Sequence, residues 1–87
     1  MSEKIIYKWG PINFERTLYR GKALHVGLQS DEAFIWAEAE INSTDAFPYR
    51  AVKLHPTGIP YEGNYLGTVV MPSGLVWHVI EDIDYEN

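Results

Sequence analysis

The sequence predicts an all-β protein, a small antiparallel meander of about six or seven short strands that forms a barrel or a sandwich. Apolar and polar side chains alternate with period two along most segments, which is typical of half-buried strands. Short turns rich in glycine, proline or serine separate these segments. No substantial helix is expected, because the one segment of helix-forming composition, "DEAFIWAEAE", also alternates and follows another strand across a short polar joint.

The first half of the chain contains four strand candidates. They are residues 4–9 ("KIIYKW"), 12–19 ("INFERTLY"), 23–29 ("ALHVGLQ") and 34–40 ("FIWAEAE"). Gly10-Pro11 ends the first candidate, and residues 20–22 form a turn after the second. The polar joint Ser30-Asp31-Glu32 predicts that the third and fourth candidates pair as a hairpin.

The second half of the chain predicts one further strand and a closing hairpin. The strand candidates are residues 49–55 ("YRAVKLH"), 65–71 ("YLGTVVM") and 75–81 ("LVWHVIE"). Residues 56–64 contain two prolines and two glycines and are therefore expected to be irregular. Pro72-Ser73-Gly74 connects the last two strands. The acidic residues 82–87 are expected to form a frayed tail.

Length and charge limit the classes of function. The chain has 87 residues, which predicts a single domain over 1–87. Its net charge is -5, and a binder of nucleic acid normally has a basic surface, so direct nucleic-acid binding is not expected. Cysteine is absent from the sequence, and no run of residues has the length of a membrane span. We therefore expect a cytoplasmic protein that does not bind membranes.

The closing hairpin is apolar on both faces. Leu75, Trp77 and Val79 alternate with a second set that contains one histidine, and both sets need cover from water. A second copy of the chain would supply this cover, which predicts a homo-oligomer. The predicted interface residues are Val70, Val76, His78 and Ile80. The alternative is a core strand of a monomeric sandwich, buried on both faces. In either case His78 is interpreted as structural, with its ring nitrogens bonded to backbone or to a neighbouring strand.

The sequence does not predict catalysis, a metal site or a cofactor. Its serines lie in turns outside any nucleophile motif, and its three histidines lie on three different strands without a metal-binding spacing. Binding is better supported, because aromatic rings and basic groups lie near the glycine- and proline-rich loop. Arg50 and His55 are the candidates to contact a phosphate, and Trp36 or Tyr61 to stack on a base. Thr57, in the loop, is a further candidate contact.

Three segments resemble an uncharacterised family of short phage and prophage proteins. They are "ALHVGLQSDEAFIWAEAE", "PTGIP" and "NYLGTVVMPSGLVWHVIE". The family pattern contains strands similar to "LHVGVQ", "YLGTV" and "LVWHVFE", and the resemblance extends over residues 4–81. The chain differs where "HPTGIP" replaces a Gly-Thr-Gly-His-Pro-like loop and where "AEAE" replaces "LVD". The resemblance implies a phage protein acting in the host cell, and it supplies no catalytic residue.

Three non-enzymatic functions agree with these observations. In the first, a phage accessory protein counters host defence by sequestering a small nucleotide-like signal at an oligomer interface. In the second, an acidic inhibitor binds a host protein, with imitation of DNA as one way of doing so, through the carboxylates Glu38, Glu40, Asp45, Glu81, Asp82, Asp84 and Glu86. In the third, the protein has a structural or assembly role in the virion.

Overall fold

A computed structural model describes residues 3–40 and 48–86, which form seven strands and one short helix. The strands are β1 (Lys4–Ile12), β2 (Thr17–Arg20), β3 (Lys22–Gln29), β4 (Glu32–Glu40), β5 (Tyr49–Pro56), β6 (Tyr65–Val70) and β7 (Val76–Glu81). A single 3-10 helix, Ile83–Glu86, follows β7. Within these residues, no helix is long and apolar enough to cross a membrane.

The strands form two antiparallel sheets that stack as a sandwich. One sheet has the order β1-β4-β3, and the other has the order β2-β5-β7-β6. Strand β1 lies against β2 at one side of the stack, and β3 lies against β6 at the other. The predicted all-β class is confirmed, and the described strands adopt the sandwich rather than the barrel. Their order is more complex than a meander, because β1 pairs with β4, β2 with β5 and β5 with β7.

Both predicted hairpins are present. Strands β3 and β4 are joined by Ser30 and Asp31, whose φ angles of 53° and 64° are those of a type I′ turn. Strands β6 and β7 are joined by a turn in which the N–H of Met71 donates to the carbonyl of Leu75 at 2.7 Å. These two short turns fix the register of four strands.

The second predicted strand is shorter than expected. Of residues 12–19, Ile12 ends β1, and β2 begins only at Thr17. Between them, the Asn13 side chain accepts a hydrogen bond from the N–H of Glu15 at 2.8 Å, and its carbonyl accepts the N–H of Leu54 at 2.9 Å. An asparagine that bonds nearby backbone competes with a strand ladder, so the alternating pattern is interrupted here.

The chain passes from one sheet to the other at Gly21, the residue between β2 and β3. Its φ of +105° lies in the region that favours glycine, and a Cβ atom would stand 2.5 Å from the carbonyl oxygen of Glu38. A side chain at this position would therefore collide with β4. The predicted turn at 20–22 is in fact the point where the chain crosses between the two layers.

The core lies between the sheets. Its largest fully buried side chains include Ile35 of β4, Val52 of β5 and Val79 of β7, which belong to one cluster. Burying each side chain contributes about 1.5–3 kcal/mol of transfer free energy. The cluster joins both sheets, so neither sheet is expected to be stable without the other.

The described part of the acidic tail, residues 82–86, is anchored to the sandwich rather than frayed. Asp82 is buried, and its carboxylate accepts a hydrogen bond from Nε of Arg16 at 2.9 Å. The N–H of Asp82 donates to the carbonyl of Ala51 at 2.8 Å, and the following residues form the 3-10 helix. The Arg16 hydrogen bond, helped by the N–H of Asp84, lowers the pKa of Asp82 against the opposing effect of burial. The sequence-based expectation considered only the charge of this segment and not its buried partner.

Candidate functional site

A pocket of 210 Å³ lies on the outer face of the four-stranded sheet, where residues 57–64 cross the strands. Its lining consists of His55, Pro56, Thr57, Gly58, Ile59, Tyr61, Tyr65 and His78. His55 of β5 stands directly opposite His78 of β7 in the ladder, so both rings project from the same face. We call this depression the two-histidine pocket.

His78 is held between two threonine hydroxyls. Its Nε2 lies 2.7 Å from Oγ1 of Thr57, and its Nδ1 lies 2.8 Å from Oγ1 of Thr68. The hydroxyl of Tyr65 bonds in turn to Thr68, which makes a chain of four polar side chains. This agrees with the structural interpretation of His78, except that its partners are side-chain hydroxyls from a neighbouring strand and from the loop.

The hydrogen bonds of His78 hold its ring in one orientation. A neutral imidazole has one donor and one acceptor nitrogen, and a hydroxyl can complement either, so both tautomers fit between Thr57 and Thr68. A histidine base that activates a hydroxyl is normally assisted by a carboxylate, which stabilises the imidazolium. Here the second nitrogen faces Thr68 instead. The arrangement therefore orients the ring without supplying the charge that a strong base requires.

His55 fastens the loop to the sheet. Its Nε2 donates to the carbonyl oxygen of Ile59 at 2.8 Å, and its ring meets that of Tyr61 edge-on at 5.7 Å. Tyr61 itself is 50% exposed and Tyr65 is 53% exposed, so both rings offer open faces beside the histidines. The pocket thus combines fixed hydrogen-bonding groups with exposed aromatic surface.

The same loop covers part of the second apolar face of β7. Ile80 is only 1% exposed and lies beside Pro60 and Tyr61 of the loop and Ile83 of the helix. Gly63 permits this approach, because a Cβ there would stand 2.5 Å from the carbonyl oxygen of Glu81. Ile80 is therefore buried within a single chain and has no surface to offer the interface predicted for it.

The other predicted interface residues lie near the turn of the closing hairpin. Val70 is 60% exposed and pairs with Val76, which is partly buried. His78 is partly buried and bonded within the chain. The exposed apolar surface of the closing hairpin thus includes Val70 and Leu75 near the turn and the ring of Tyr65 at the start of β6.

A second depression adjoins the two-histidine pocket and shares His55 and Tyr61 with it. Lys53 contributes a positive charge there, while Glu62, Glu81 and Asp84 contribute negative charges. The balance is acidic, so the electrostatic potential favours ligands with little negative charge. Lys53 is the cation nearest the candidate site in sequence and was not among the predicted ligand residues.

Arg50 is not part of the two-histidine pocket. It lies five positions from His55 on β5, which corresponds to about 16 Å along a strand. Its guanidinium lies 3.5 Å from the carboxylate of Glu81, in a separate depression of 250 Å³. Burial raises the pKa of the neighbouring Tyr19 hydroxyl, and Arg50 acts in the opposite direction. Arg50 therefore pairs with Glu81 at the end of the sandwich, outside the two-histidine pocket.

Trp36 lies on the other sheet. Its neighbours Ile35 and Ala37 are buried in the core, so Trp36 projects from the outer face of the three-stranded sheet. Its ring contacts that of His25 at a centroid distance of 5.6 Å. The predicted ligand residues His55, Thr57 and Tyr61 are thus brought together, whereas Trp36 is separated from them by the whole sandwich.

His25 is also separated from the other two histidines, because it belongs to β3 of the three-stranded sheet. Within residues 3–40 and 48–86, no group of three histidine, cysteine, aspartate or glutamate side chains is arranged to hold a metal ion.

Several of the acidic residues are paired within the chain. Glu38 lies 3.6 Å from Lys4, Glu81 lies 3.5 Å from Arg50, and Asp82 is bonded to Arg16. Asp45 lies outside the described residues. Carboxylates with intramolecular partners present less free charge to a basic surface, so these contacts give the acidic-inhibitor hypothesis little support.

Thr68, which bonds to His78 beside the pocket, is a residue that sequence reasoning missed. A signal for Thr68 was present: a turn centred on residues 72–74 places Thr68 opposite His78, as the observed register has it. The position of Tyr65 beside His78 could not be inferred from the same turn, because the register shifts between Tyr65 and Gly67. An irregularity of this kind changes the direction of a side chain, and it cannot be recognised from the alternation of apolar and polar residues.

Fold and site together define a small two-layer β-sandwich with a loop-covered polar pocket on one outer face. In a comparison with known families, residues 11–87 match a domain of unknown function, DUF7352. The chain belongs to this family, which agrees with the expected uncharacterised family. No curated protein and no solved structure was found to match the chain.

Proposed function

We propose that the protein is a non-catalytic binding protein that sequesters a small nucleotide-like molecule in the two-histidine pocket. One observation carries this proposal: two histidines, a threonine and two half-exposed tyrosines surround a single pocket of 210 Å³. Aromatic faces next to fixed hydrogen-bonding groups suit a flat heterocycle, which can stack and form hydrogen bonds in its plane.

Each part of such a ligand has a candidate partner. The base would stack on Tyr61 or Tyr65, whose rings are about half exposed. The charged end would meet Lys53 and His55, which share the adjoining depression. Lys53 replaces Arg50 in this role, because Arg50 is paired with Glu81. The nearby carboxylates favour a ligand of low charge, such as a nucleoside or a cyclic nucleotide, over a triphosphate.

The proposal includes a second copy of the chain. The two-histidine pocket is shallow, and the exposed rings of Tyr61 and Tyr65 stand at its rim. A second subunit would cover these rings and the 60% exposed Val70, and it would enclose the ligand. The phage and counter-defence setting comes from the sequence resemblance and belongs to the same proposal: removal of a nucleotide signal would silence a host response.

Thermal-shift measurements with nucleosides and cyclic mono- and dinucleotides test the proposal. A ligand present at 100 times its dissociation constant stabilises the folded protein by about 2.7 kcal/mol, which gives a clear rise in Tm. Loss of a stacking contact in Tyr61→Ala should weaken binding about tenfold or more. Phe14→Ala is the control, because Phe14 is 58% exposed but packs on Trp77 instead.

Two results would contradict the proposal. The first is an unchanged Tm with every one of these ligands at millimolar concentration. The second is equal weakening of a bound ligand by Tyr61→Ala and Phe14→Ala, because the ligand would then bind outside the two-histidine pocket. Sedimentation with and without ligand measures the proposed association of two copies.

A further inference from the structure

A second, smaller pocket lies on the opposite side of the molecule from the strands that carry Tyr65 and His78. It has a volume of 110 Å³ and is lined by Tyr7 and Trp9 of β1, Arg20 of β2 and Ala39 of β4. Strands β1 and β2 are the edge strands that meet where the two sheets close. We call it the seam pocket, and its features are independent of the nucleotide proposal.

The indole of Trp9 has a donor that the described residues do not use. Its Nε1 is buried and has no hydrogen-bond partner among residues 3–40 and 48–86. Buried polar groups in proteins are nearly always paired, because an unpaired donor loses its bond to water and gains nothing in return. An unsatisfied donor in a side chain that lines a pocket points to an acceptor supplied from outside the chain.

Arg20 adds a guanidinium that has no acidic partner in the part of the chain that the structure describes. Arg16 is paired with Asp82 and Arg50 with Glu81, but within residues 3–40 and 48–86 no carboxylate lies within ion-pair distance of Arg20. Its guanidinium instead stands over the ring of Tyr49 at 5.2 Å. A guanidinium carries five N–H donors, and an aromatic face satisfies none of them as an acceptor oxygen would.

Aromatic rings complete the surroundings. Trp9 meets Tyr7 and Tyr49 edge-on, with ring centroids 6.2 Å apart in both pairs. Ring edges carry partial positive charge, and apolar walls exclude water from a charge placed between them. Donors, a cation and ring edges in one place favour a small negatively charged group.

We propose that the seam pocket binds a carboxylate group, with oxygens that accept hydrogen bonds from Arg20 and from Nε1 of Trp9. The planar carboxylate matches the fork of a guanidinium. A single cation neutralises a monoanion fully but a phosphate dianion only in part. The apolar walls hold the carbon chain next to the carboxylate, and the ligand reaches the indole when the half-exposed side chain of Tyr7 rotates aside. The carboxylate belongs either to a small free acid or to the terminus of a polypeptide.

Nuclear magnetic resonance of the indole N–H groups tests this assignment on the full chain. The sequence contains three tryptophans, so the ¹H–¹⁵N spectrum has three indole signals, and Trp9→Phe identifies that of Trp9. Titration with sodium acetate, against sodium chloride at equal ionic strength, should move the Trp9 signal to saturation and leave the other two in place. Arg20→Gln should weaken acetate binding about tenfold or more. Arg50→Gln, which alters an ion-paired arginine elsewhere, should leave it unchanged.

The assignment is overturned if acetate moves the three signals no differently from chloride, or if Arg20→Gln binds acetate as well as the unchanged protein. Arg20 is exposed, so its replacement should not prevent folding, and the test does not depend on Trp9→Phe. Short peptides separate the two sources of the carboxylate. A peptide with a free C-terminus that binds more tightly than acetate, and that loses binding when amidated, indicates a polypeptide partner. Equal affinities for acetate and peptide indicate a small free acid.

Discussion

The outer faces of the two sheets contain similar alternating strands but have become different surfaces. On the four-stranded sheet, residues 57–64 cross the strands, bury Ile80 and form the two-histidine pocket. On the three-stranded sheet, Ile6 remains 57% exposed, and Lys8 stands over the ring of Phe34 at 4.8 Å. The first surface is a concave pocket walled by the loop, and the second is a row of partly buried and exposed side chains along the strands.

This difference shows what turns a sheet face into a site. Strands alone place side chains in rows, and a row gives a ligand contact from one side only. The loop adds a second wall, and its carbonyl of Ile59 and hydroxyl of Thr57 hold the two histidines in fixed positions. A preorganised concave surface is the usual requirement for binding a small molecule.

Replacing one isoleucine on each outer face is the strongest test of this comparison. Ile80→Ala should lower the free energy of unfolding by about 2–4 kcal/mol, because it leaves a cavity beneath the loop. Ile6→Ala should change it by about 0.5 kcal/mol or less, because that side chain is already in water. Urea denaturation of both variants measures the difference. Similar values for the two would mean that the loop does not cover Ile80 in solution.

The ion pair that anchors the C-terminal helix beside the loop should give an intermediate effect. Arg16→Gln removes the charged donor to the buried Asp82 and should cost about 1–2 kcal/mol at neutral pH, since Arg16 itself is partly exposed. The pKa of Asp82 is lowered in the folded state, so its contribution is present above its ordinary value of 3.8 and is lost as the pH falls through the folded-state pKa. Urea midpoints measured across this range should fall less steeply in Asp82→Asn than in the unchanged protein. Parallel curves would contradict the pairing.

The smallest effect is expected from the polar groups. Thr68→Val removes the hydroxyl that joins Nδ1 of His78 to Tyr65 and should cost about 0.5–1 kcal/mol, because these groups retain some access to water. Lys4→Gln, which breaks the exposed ion pair with Glu38 on the other sheet, should cost less than about 0.5 kcal/mol. The two variants are compared by chemical denaturation. A larger loss of unfolding free energy in Lys4→Gln than in Thr68→Val would contradict the proposed difference between the outer faces of the two sheets.

Local features of the fold were predictable from the sequence, whereas long-range pairings were not. Period-two alternation identifies strands, and the joints at 30–32 and 72–74 identify both hairpins, because these signals depend on neighbouring residues. The pairing of β1 with β4 and of β2 with β5 depends on the whole chain and leaves no local pattern. The start of β2 was misplaced because the Asn13 side chain accepts a hydrogen bond from the N–H of Glu15 inside an alternating stretch.

The candidate site was predictable to the extent that its residues are close in sequence. His55, Thr57 and Tyr61 belong to one strand end and its loop, so proximity along the chain implied proximity in space. Trp36 could be excluded from the site only by knowing which sheet it belongs to, and Arg50 only by knowing that it pairs with Glu81. The cover over Ile80 was unforeseen for a related reason, because alternation describes strands and carries no information about an irregular loop.

The core of the sandwich and much of the pocket wall are formed by different parts of the chain, which has a consequence for the evolution of this fold. Residues 57–64 form much of the pocket wall, whereas the buried cluster of Ile35, Val52 and Val79 lies elsewhere. Substitutions in the loop can therefore alter selectivity while the packed interior stays intact. Homologues that share the scaffold and diverge in this short segment are expected to recognise chemically different molecules.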